Sequence, residues 1–244
     1  MKGLILAGGR GTRLAPLTKV VNKHLLLVYD KPMIMYGIEA MRDAGITDIV
    51  LSLSHDKAGS FMELLGNGEE LGVNLGYAIH GEPRGISYGI NHALFLLGDE
   101  PFLCYLGDNI FGESLVPYVK RFQENPQESL ILLKKVDIKE ASRYGVAIFK
   151  EKELVQLVEK PQWIAGAGDY AYALLGAYFF TPKFFEIYPR LKPSERGEYE
   201  VTDAINALMP MVSYEIYQGE WFDCGTFDSI LEASNYIAKS RGGT

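Results

Sequence analysis

Lys2-Gly3-Leu4-Ile5-Leu6-Ala7-Gly8-Gly9-Arg10-Gly11-Thr12-Arg13-Leu14 joins an apolar run directly to a glycine-rich turn. Leu4 to Ala7 is apolar on both faces, the pattern of a buried parallel strand. Glycines behind such a strand admit backbone conformations closed to other residues and let N–H groups approach phosphate oxygens. Arg13 adds a planar two-point donor, and Lys23, further on, adds a point charge. The loop is not a P-loop, because no Gly-Lys-Ser/Thr closes it. It also lacks the dinucleotide spacing, because no glycine stands three residues after Gly11. By itself it fits a phosphate cradle and a plain tight turn equally well.

Outward from that turn, Asp30 stands where a helix N-cap would, with Pro32 in the first turn, Ile34, Ile38 and Met41 on one face, and Gly45 as the stop. A strand over 48–53, a helix over 58–65, a strand over 73–79 and a helix over 86–97 follow. Then comes a strong strand over 102–106 that ends in Gly107-Asp108-Asn109. This alternation predicts an α/β domain with a largely parallel sheet. Strand-like runs recur at 130–136, 145–149, 154–159 and 172–180 with shorter connections, so this half of the sheet is expected to be mixed. Helices are expected over 182–188, 201–209 and 227–239. No linker-like segment divides the chain, which predicts one domain over 1–244. A first part covers about 1–125, a second over about 126–225 lies across it as a lid, and a terminal helix follows.

The 244 residues suffice for a full core, and 48% of them are hydrophobic, an ordinary globular balance. No apolar stretch approaches the roughly 20 residues that a membrane helix needs, and no signal peptide is visible. A formal charge of -7 argues against nucleic acid as a partner, although a few cations focused in a cleft still suit a small phosphorylated ligand. Cys104 and Cys224 cannot form a disulfide framework, so a reducing cytoplasm is the expected location. His55, His80 and His92 lack partners at ligand spacing and read as surface or core residues.

Asp108, at the carboxyl end of a parallel strand, points toward the crevice where open α/β sheets bind ligands, although an Asp also commonly starts a turn. Trp221-Phe222-Asp223-Cys224-Gly225-Thr226 repeats the pattern of an acid before a glycine and a helix. Brought together, Asp108 and Asp223 would hold Mg2+ beside a triphosphate. Glu159-Lys160-Pro161 ends an apolar strand, where Glu159 could accept sugar hydroxyls and Lys160 meet an anionic oxygen. Arg196-Gly197-Glu198-Tyr199-Glu200-Val201-Thr202-Asp203 reads equally well as a charged helix start.

In order, Leu-Ala-Gly-Gly-x-Gly-Thr-Arg-Leu, Asn22-Lys23-His24-Leu25-Leu26, Leu-Gly-Asp-Asn, Arg143-Tyr144-Gly145-Val146, Glu-Lys-Pro, Arg-Gly-Glu-x-Glu-x-Thr-Asp and Asp-x-Gly-Thr resemble the sugar-1-phosphate nucleotidylyltransferases, and within them the thymidylyltransferase branch acting on glucose 1-phosphate. The likeness runs from Met1 to about Ala238. It implies a Rossmann-like nucleotidyltransferase fold, with a mixed, mostly parallel sheet flanked by helices and a sugar-binding lid. The implied reaction joins a nucleoside triphosphate, dTTP first, to a hexose 1-phosphate and releases pyrophosphate. Leu6, Gly8, Gly9, Gly11, Thr12, Arg13, His80, Gly85 and Asp108 would bind the nucleotide. Asn109, Gly145, Glu159, Lys160, Leu174, Arg196 and Trp221 would line the sugar-phosphate side, Arg196 as an anion contact. Arg13, Lys23, Asp108 and Lys160 would carry the chemistry, and Asp108 and Asp223 would hold Mg2+. A homo-oligomer is the implied assembly, and the chain reads as a short form without the helical extension of longer members.

The departures cluster away from the phosphates. Leu27 stands where the family commonly has a proline. His80 replaces a glutamine that pairs with the pyrimidine edge, and an imidazole cannot supply the two-point amide contact. Gly85-Ile86-Ser87-Tyr88-Gly89 and Leu175 also differ from the usual pattern. UTP, CTP or another sugar 1-phosphate therefore stand as alternatives. Three other classes compete. A non-catalytic nucleotide regulator would not need both carboxylates. A metal-dependent glycosyltransferase should show Asp-x-Asp. A dinucleotide oxidoreductase should show the missing glycine.

Overall fold

The structure is a computed structural model and describes residues 1–163 and 168–242. β1 (Lys2–Leu6) enters the glycine turn, and β2 (Leu27–Val28) and β3 (Lys31–Pro32) form a short hairpin before α1 (Met33–Asp43). Asp30 is not the N-cap. Lys31–Pro32 folds back on Leu27–Val28, so the chain is still extended past Asp30 and the cap position falls to Pro32. Asp30 instead pairs with Arg241. Gly45, at φ +80°, stops α1 as expected, its N–H donating to Arg42 O at 2.8 Å.

Next come β4 (Asp48–Ser54), α2 (Ala58–Leu65), β5 (Asn74–His80), α3 (Ile86–His92) and α4 (Leu94–Leu97). The single helix expected over 86–97 is two, because Ala93 N–H donates to Ile90 O at 3.0 Å and tightens the turn between them. β6 (Phe102–Leu106), β7 (Asn109–Phe111), α5 (Val116–Glu124), β8 (Ser129–Asp137), β9 (Gly145–Lys150), β10 (Glu153–Glu159) and β11 (Tyr170–Phe180) follow. The chain continues with α6 (Lys183–Ile187), α7 (Val201–Leu208), β12 (Val212–Ile216), β13 (Trp221–Asp223) and α8 (Phe227–Ser240).

β5, β4, β1 and β6 are parallel, in that order; β11 then runs antiparallel to β6 and also pairs with β8 and β9. The chain leaves β1 toward β4 on one side and returns on the other as β6. β1 and β6 therefore flank the switch point, where a crevice opens beyond their carboxyl ends. Leu6 lies beside Leu106, and Gly107 N–H donates to Leu6 O at 3.0 Å, so the glycine turn and Asp108 leave the sheet together.

Alternate residues of the same strands feed two cores. Ile5, Leu51, Leu103, Leu132 and Phe179 pack with Ile38, Phe61 and Phe122 of α1, α2 and α5. Leu4, Val50, Cys104, Leu133 and Tyr178 pack with Ile90, Phe184 and Ile205 of α3, α6 and α7. Strands from both halves of the chain thus share one sheet between two helical layers. A third cluster joins Ala233 and Ile237 of α8 to Val28, Met33, Ile110 and Cys224, which pins the chain next to Asp223.

Candidate active site

Glycine conformation shapes the turn after β1. Gly11 adopts φ +62°, and a Cβ there would stand 2.9 Å from Thr18 and 3.0 Å from Lys23, so the loop wraps closely against the lysine. Asn22 fixes the next segment. Its Nδ2 donates to Ala7 O at 3.3 Å, while its Oδ1 accepts His24 N–H at 3.0 Å and the His24 ring at 2.8 Å. Because Asn22 Oδ1 can only accept, His24 carries its proton on Nδ1. Lys23 is thereby aimed at Asp108, with which it forms an ion pair.

Asp223 arrives from the far end of the chain. β13 pairs with β7, placing Asp223 opposite Asn109, and Cys224 N–H donates to Asp108 O at 2.8 Å. The two acids expected from their separate motifs are therefore adjacent. Burial raises the Asp108 carboxyl, but Lys23 and His24 outweigh it and hold the group well below the usual carboxylate range. Burial first, and then the charge of Asp108, push Asp223 upward. Burial and neighbouring Lys23 push His24 down to about 3, so it is neutral at ordinary pH. Among the described residues, the Asp223 carboxylate accepts no hydrogen bond, and no group of three or more His, Cys, Asp or Glu could hold a metal ion. Two half-buried carboxylates, one opposed by its neighbour's charge and without a donor, fit a divalent cation that also takes oxygens from its ligand.

Two cavities of about 610 Å³ each share Lys23 and Asp108 in their linings, and the second also takes in Asp223. The first is walled by Leu6, Gly8, His80, Gly85, Ile86 and Gly89, with Gly9, Gly11, Thr12 and Lys23 at its inner end. The second is walled by Asn109, Tyr144, Gly145, Leu174, Trp221 and Asp223, with Arg13 at its mouth. Glu159, Lys160 and Asp108 face both. Gly145 lies opposite Glu159 in the β9–β10 pairing, and Lys160, at φ +42°, pairs with Glu159 at 3.4 Å.

Two of the expected contacts already have protein partners. Arg196 lines the first cavity, and its Nη2 is ion-paired with Glu159, Glu198 and Glu200. Asn109 is buried and its amide is already engaged: Oδ1 accepts from Gly176 N at 3.1 Å and Trp221 Nε1 at 2.7 Å, and Nδ2 donates to Asp108 at 3.1 Å. It orients Asp108 and the indole, leaving one N–H for a ligand.

His80 is 6% exposed, with Nδ1 3.0 Å from Gly81 O, which fixes the proton on Nδ1. Its Cε1–Nε2 edge faces Gly8, where a Cβ would stand 2.7 Å from both atoms, and Nε2 has no partner among the described residues. Burial lowers its pKa first, and nearby His92 and His55 add to this. The ring lies 5.8 Å from Tyr88 and from His92. Those contacts were not legible, since α3 and β5 meet only in the fold. Tyr144, whose ring packs edge-on to Trp221 at 5.1 Å, and the neutral His24 were also missed as individuals, although both stand inside quoted motifs.

The family model described as Nucleotidyl transferase matches residues 2–240. A glucose-1-phosphate thymidylyltransferase of Mycobacterium tuberculosis is 39% identical over 247 residues, covering 97% of this chain and 82% of that protein. A low-salt glycan biosynthesis nucleotidyltransferase of Haloferax volcanii is 35% identical over 99% of this chain and 67% of its own length. A solved glucose-1-phosphate thymidylyltransferase from Bacillus anthracis, in complex with sucrose, superposes with a TM-score of 0.89 at 36% identity, covering 97% of this chain and 94% of that one. A UDP-glucose pyrophosphorylase complexed with UDP-glucose reaches 0.86 at 27% identity, covering 98% and 99%. With the match running from β1 to the end of α8, the chain belongs to the nucleotidyl transferase family.

Proposed function

We infer that the chain transfers a nucleotidyl group from a nucleoside triphosphate to a hexose 1-phosphate and releases pyrophosphate. The observation that carries this is the ion pair of Lys23 and Asp108 where two equal cavities meet, with Asp223 beside it in the second and one compartment for each substrate. A sugar-phosphate oxygen, already ionised at neutral pH, attacks the α-phosphorus in line with the departing pyrophosphate and needs no strong base. What the site must supply is positive charge and alignment for two anions that repel one another. Arg13, Lys23 and Lys160 are placed to supply charge at the loop, at the junction and between the cavities. Asp108 and Asp223 would hold Mg2+, which when bound neutralises the phosphates and polarises the α-phosphoryl group. Gly8, Gly9, Gly11 and Thr12 would present the phosphate-facing backbone, and Trp221, Gly145 and Leu174 would wall the sugar.

The base wall supports a pyrimidine with an N3–H. His80 offers a bare Nε2 acceptor, complementary to the N3–H of thymine or uracil and opposed to the N3 lone pair of cytosine. dTTP with glucose 1-phosphate is the leading pair, in keeping with the thymidylyltransferase relatives. Pyrophosphate release tests the reading, with Mg2+ present and dTTP, UTP, CTP, ATP and GTP crossed against several hexose 1-phosphates. Sugar-dependent release, highest with dTTP or UTP, is expected. Nucleotide binding without release for any pair would sink the transferase reading.

A further inference from the structure

Arg196 is held by more than its neighbours in sequence. Its Nη2 donates to both oxygens of Glu200 at 2.9 Å and to Glu159 Oε1 at 3.2 Å. Glu200 is 6% exposed and also accepts from Ser194 Oγ at 2.7 Å, so it is a buried carboxylate whose compensating charge is this guanidinium. Glu159, the other carboxylate on that same nitrogen, faces both cavities, and its second oxygen accepts from Thr202 Oγ1 at 3.2 Å.

The same stretch of chain is stapled to the base wall through its backbone. Tyr199 N–H donates to Arg84 O at 2.7 Å, and Tyr199 O accepts Ser87 N–H at 3.1 Å. Ser87 Oγ donates to Glu200 O at 2.9 Å. Gly85 sits between these bonds at φ +100°, so close that a Cβ would stand 2.6 Å from Tyr199 O. One segment thus touches the Arg84–Ser87 loop on one side and, through Arg196, Glu159 on the other.

We propose that Arg196 is a positioning residue: by clamping Glu159 to Glu200 it ties the nucleotide-side loop to the sugar-side carboxylate, so each substrate's half of the cleft is set by the other. A lysine would keep the charge but end in a compact ammonium on a shorter, flexible stem, without the planar guanidinium whose Nη2 lies between the two carboxylates. The inference takes its substrates from the transferase reading, and the tests separate the two: absence of turnover in the unmodified protein sinks that reading, while nucleotide titration still tests the clamp.

The experiment measures kcat, KM for dTTP and KM for glucose 1-phosphate in Arg196→Gln, Arg196→Lys, Glu200→Gln and the Arg196→Gln/Glu200→Gln double variant. It adds calorimetric dTTP titrations without sugar and melting temperatures for each. A clamp predicts that Arg196→Gln raises both KM values together by about tenfold, the scale of one hydrogen bond to a charged group, with kcat less affected. It also predicts weaker dTTP binding without sugar, a similar effect of Glu200→Gln, and a double variant no worse than the worse single. A direct phosphate ligand predicts the opposite. Only one KM rises, Glu200→Gln leaves it unchanged or lowers it by freeing the guanidinium, and the two effects add. That pattern overturns the proposal, as do unchanged kinetics in every variant. If Arg196→Gln does not fold, Arg196→Lys and Glu200→Gln decide by the same criteria.

Discussion

At the inner end of the cleft, Asp108 sits in the turn into β7, Asp223 ends the paired strand β13, and Lys23 is braced by Asn22, whereas along the base wall Pro83 and Gly85 sit on a loop stapled by Tyr199. The inner end keeps Arg13, Lys23, Asp108 and Asp223 of the motifs that carry the resemblance. The base wall is where His80 and the segment from Gly85 to Gly89 depart from it. Charge held by sheet geometry serves any nucleotide, because every triphosphate is alike at that end. Base and sugar are read by the walls, which can change without disturbing the charges.

The contrast would collapse if the inner end were dispensable. Asp108→Ala is expected to lower kcat by about a hundredfold or more, the scale of one electrostatic group in an active site, measured as pyrophosphate release with saturating Mg2+. Near-normal turnover would end the assignment. Stability probes the same region. The His24 pKa is lowered in the folded chain to about 3 from 6.5, so the unfolded chain binds more protons between those values and stability falls as pH drops through that window. The wild-type slope should exceed that of His24→Gln by up to about 1.4 kcal/mol per pH unit, read from denaturant titrations between neutral and mildly acidic pH. Parallel slopes would mean that the imidazole is protonated as readily in the fold as outside it.

The outer walls should respond less strongly and more selectively. His80→Leu removes the Nε2 acceptor and is expected to raise KM for dTTP or UTP by about tenfold, with kcat little changed. Because the His80 pKa is lowered, its neutral form holds at neutral pH. Acidification turns Nε2 into a donor, so the preference for dTTP over CTP should shrink as pH falls in the wild type but not in His80→Gln. A pH-independent ratio would detach His80 from the base. Smallest is Trp221→Phe, which deletes the 2.7 Å bond to Asn109 but keeps the ring. A rise of about fivefold in KM for the sugar phosphate is expected, with dTTP unaffected.

What was legible in the sequence follows the same division. Buried parallel strands announce themselves through apolar runs, so β1 with its glycine turn and β6 with the acid after it could be read directly. β12 could not, because it is half-exposed and takes its meaning from pairing with β8. α5 is short and buries only Val119 and Phe122, too little periodicity to stand out. The carboxylates around Arg196 were not legible, because a motif gives a residue's charge but not what surrounds it. The neutrality of His24 was likewise hidden, since it depends on burial beneath the glycine turn.

The β7–β13 ribbon also sets when the protein can begin to work. Asp108 and the residues that brace it belong to the first half of the chain, but its partner acid lies near the end, held there by α8. A chain emerging from the ribosome can complete its parallel strands and glycine turn long before Asp223 exists. The site would therefore stay silent until β13 has been made, and a product truncated before β13 would keep much of the sheet without its second carboxylate.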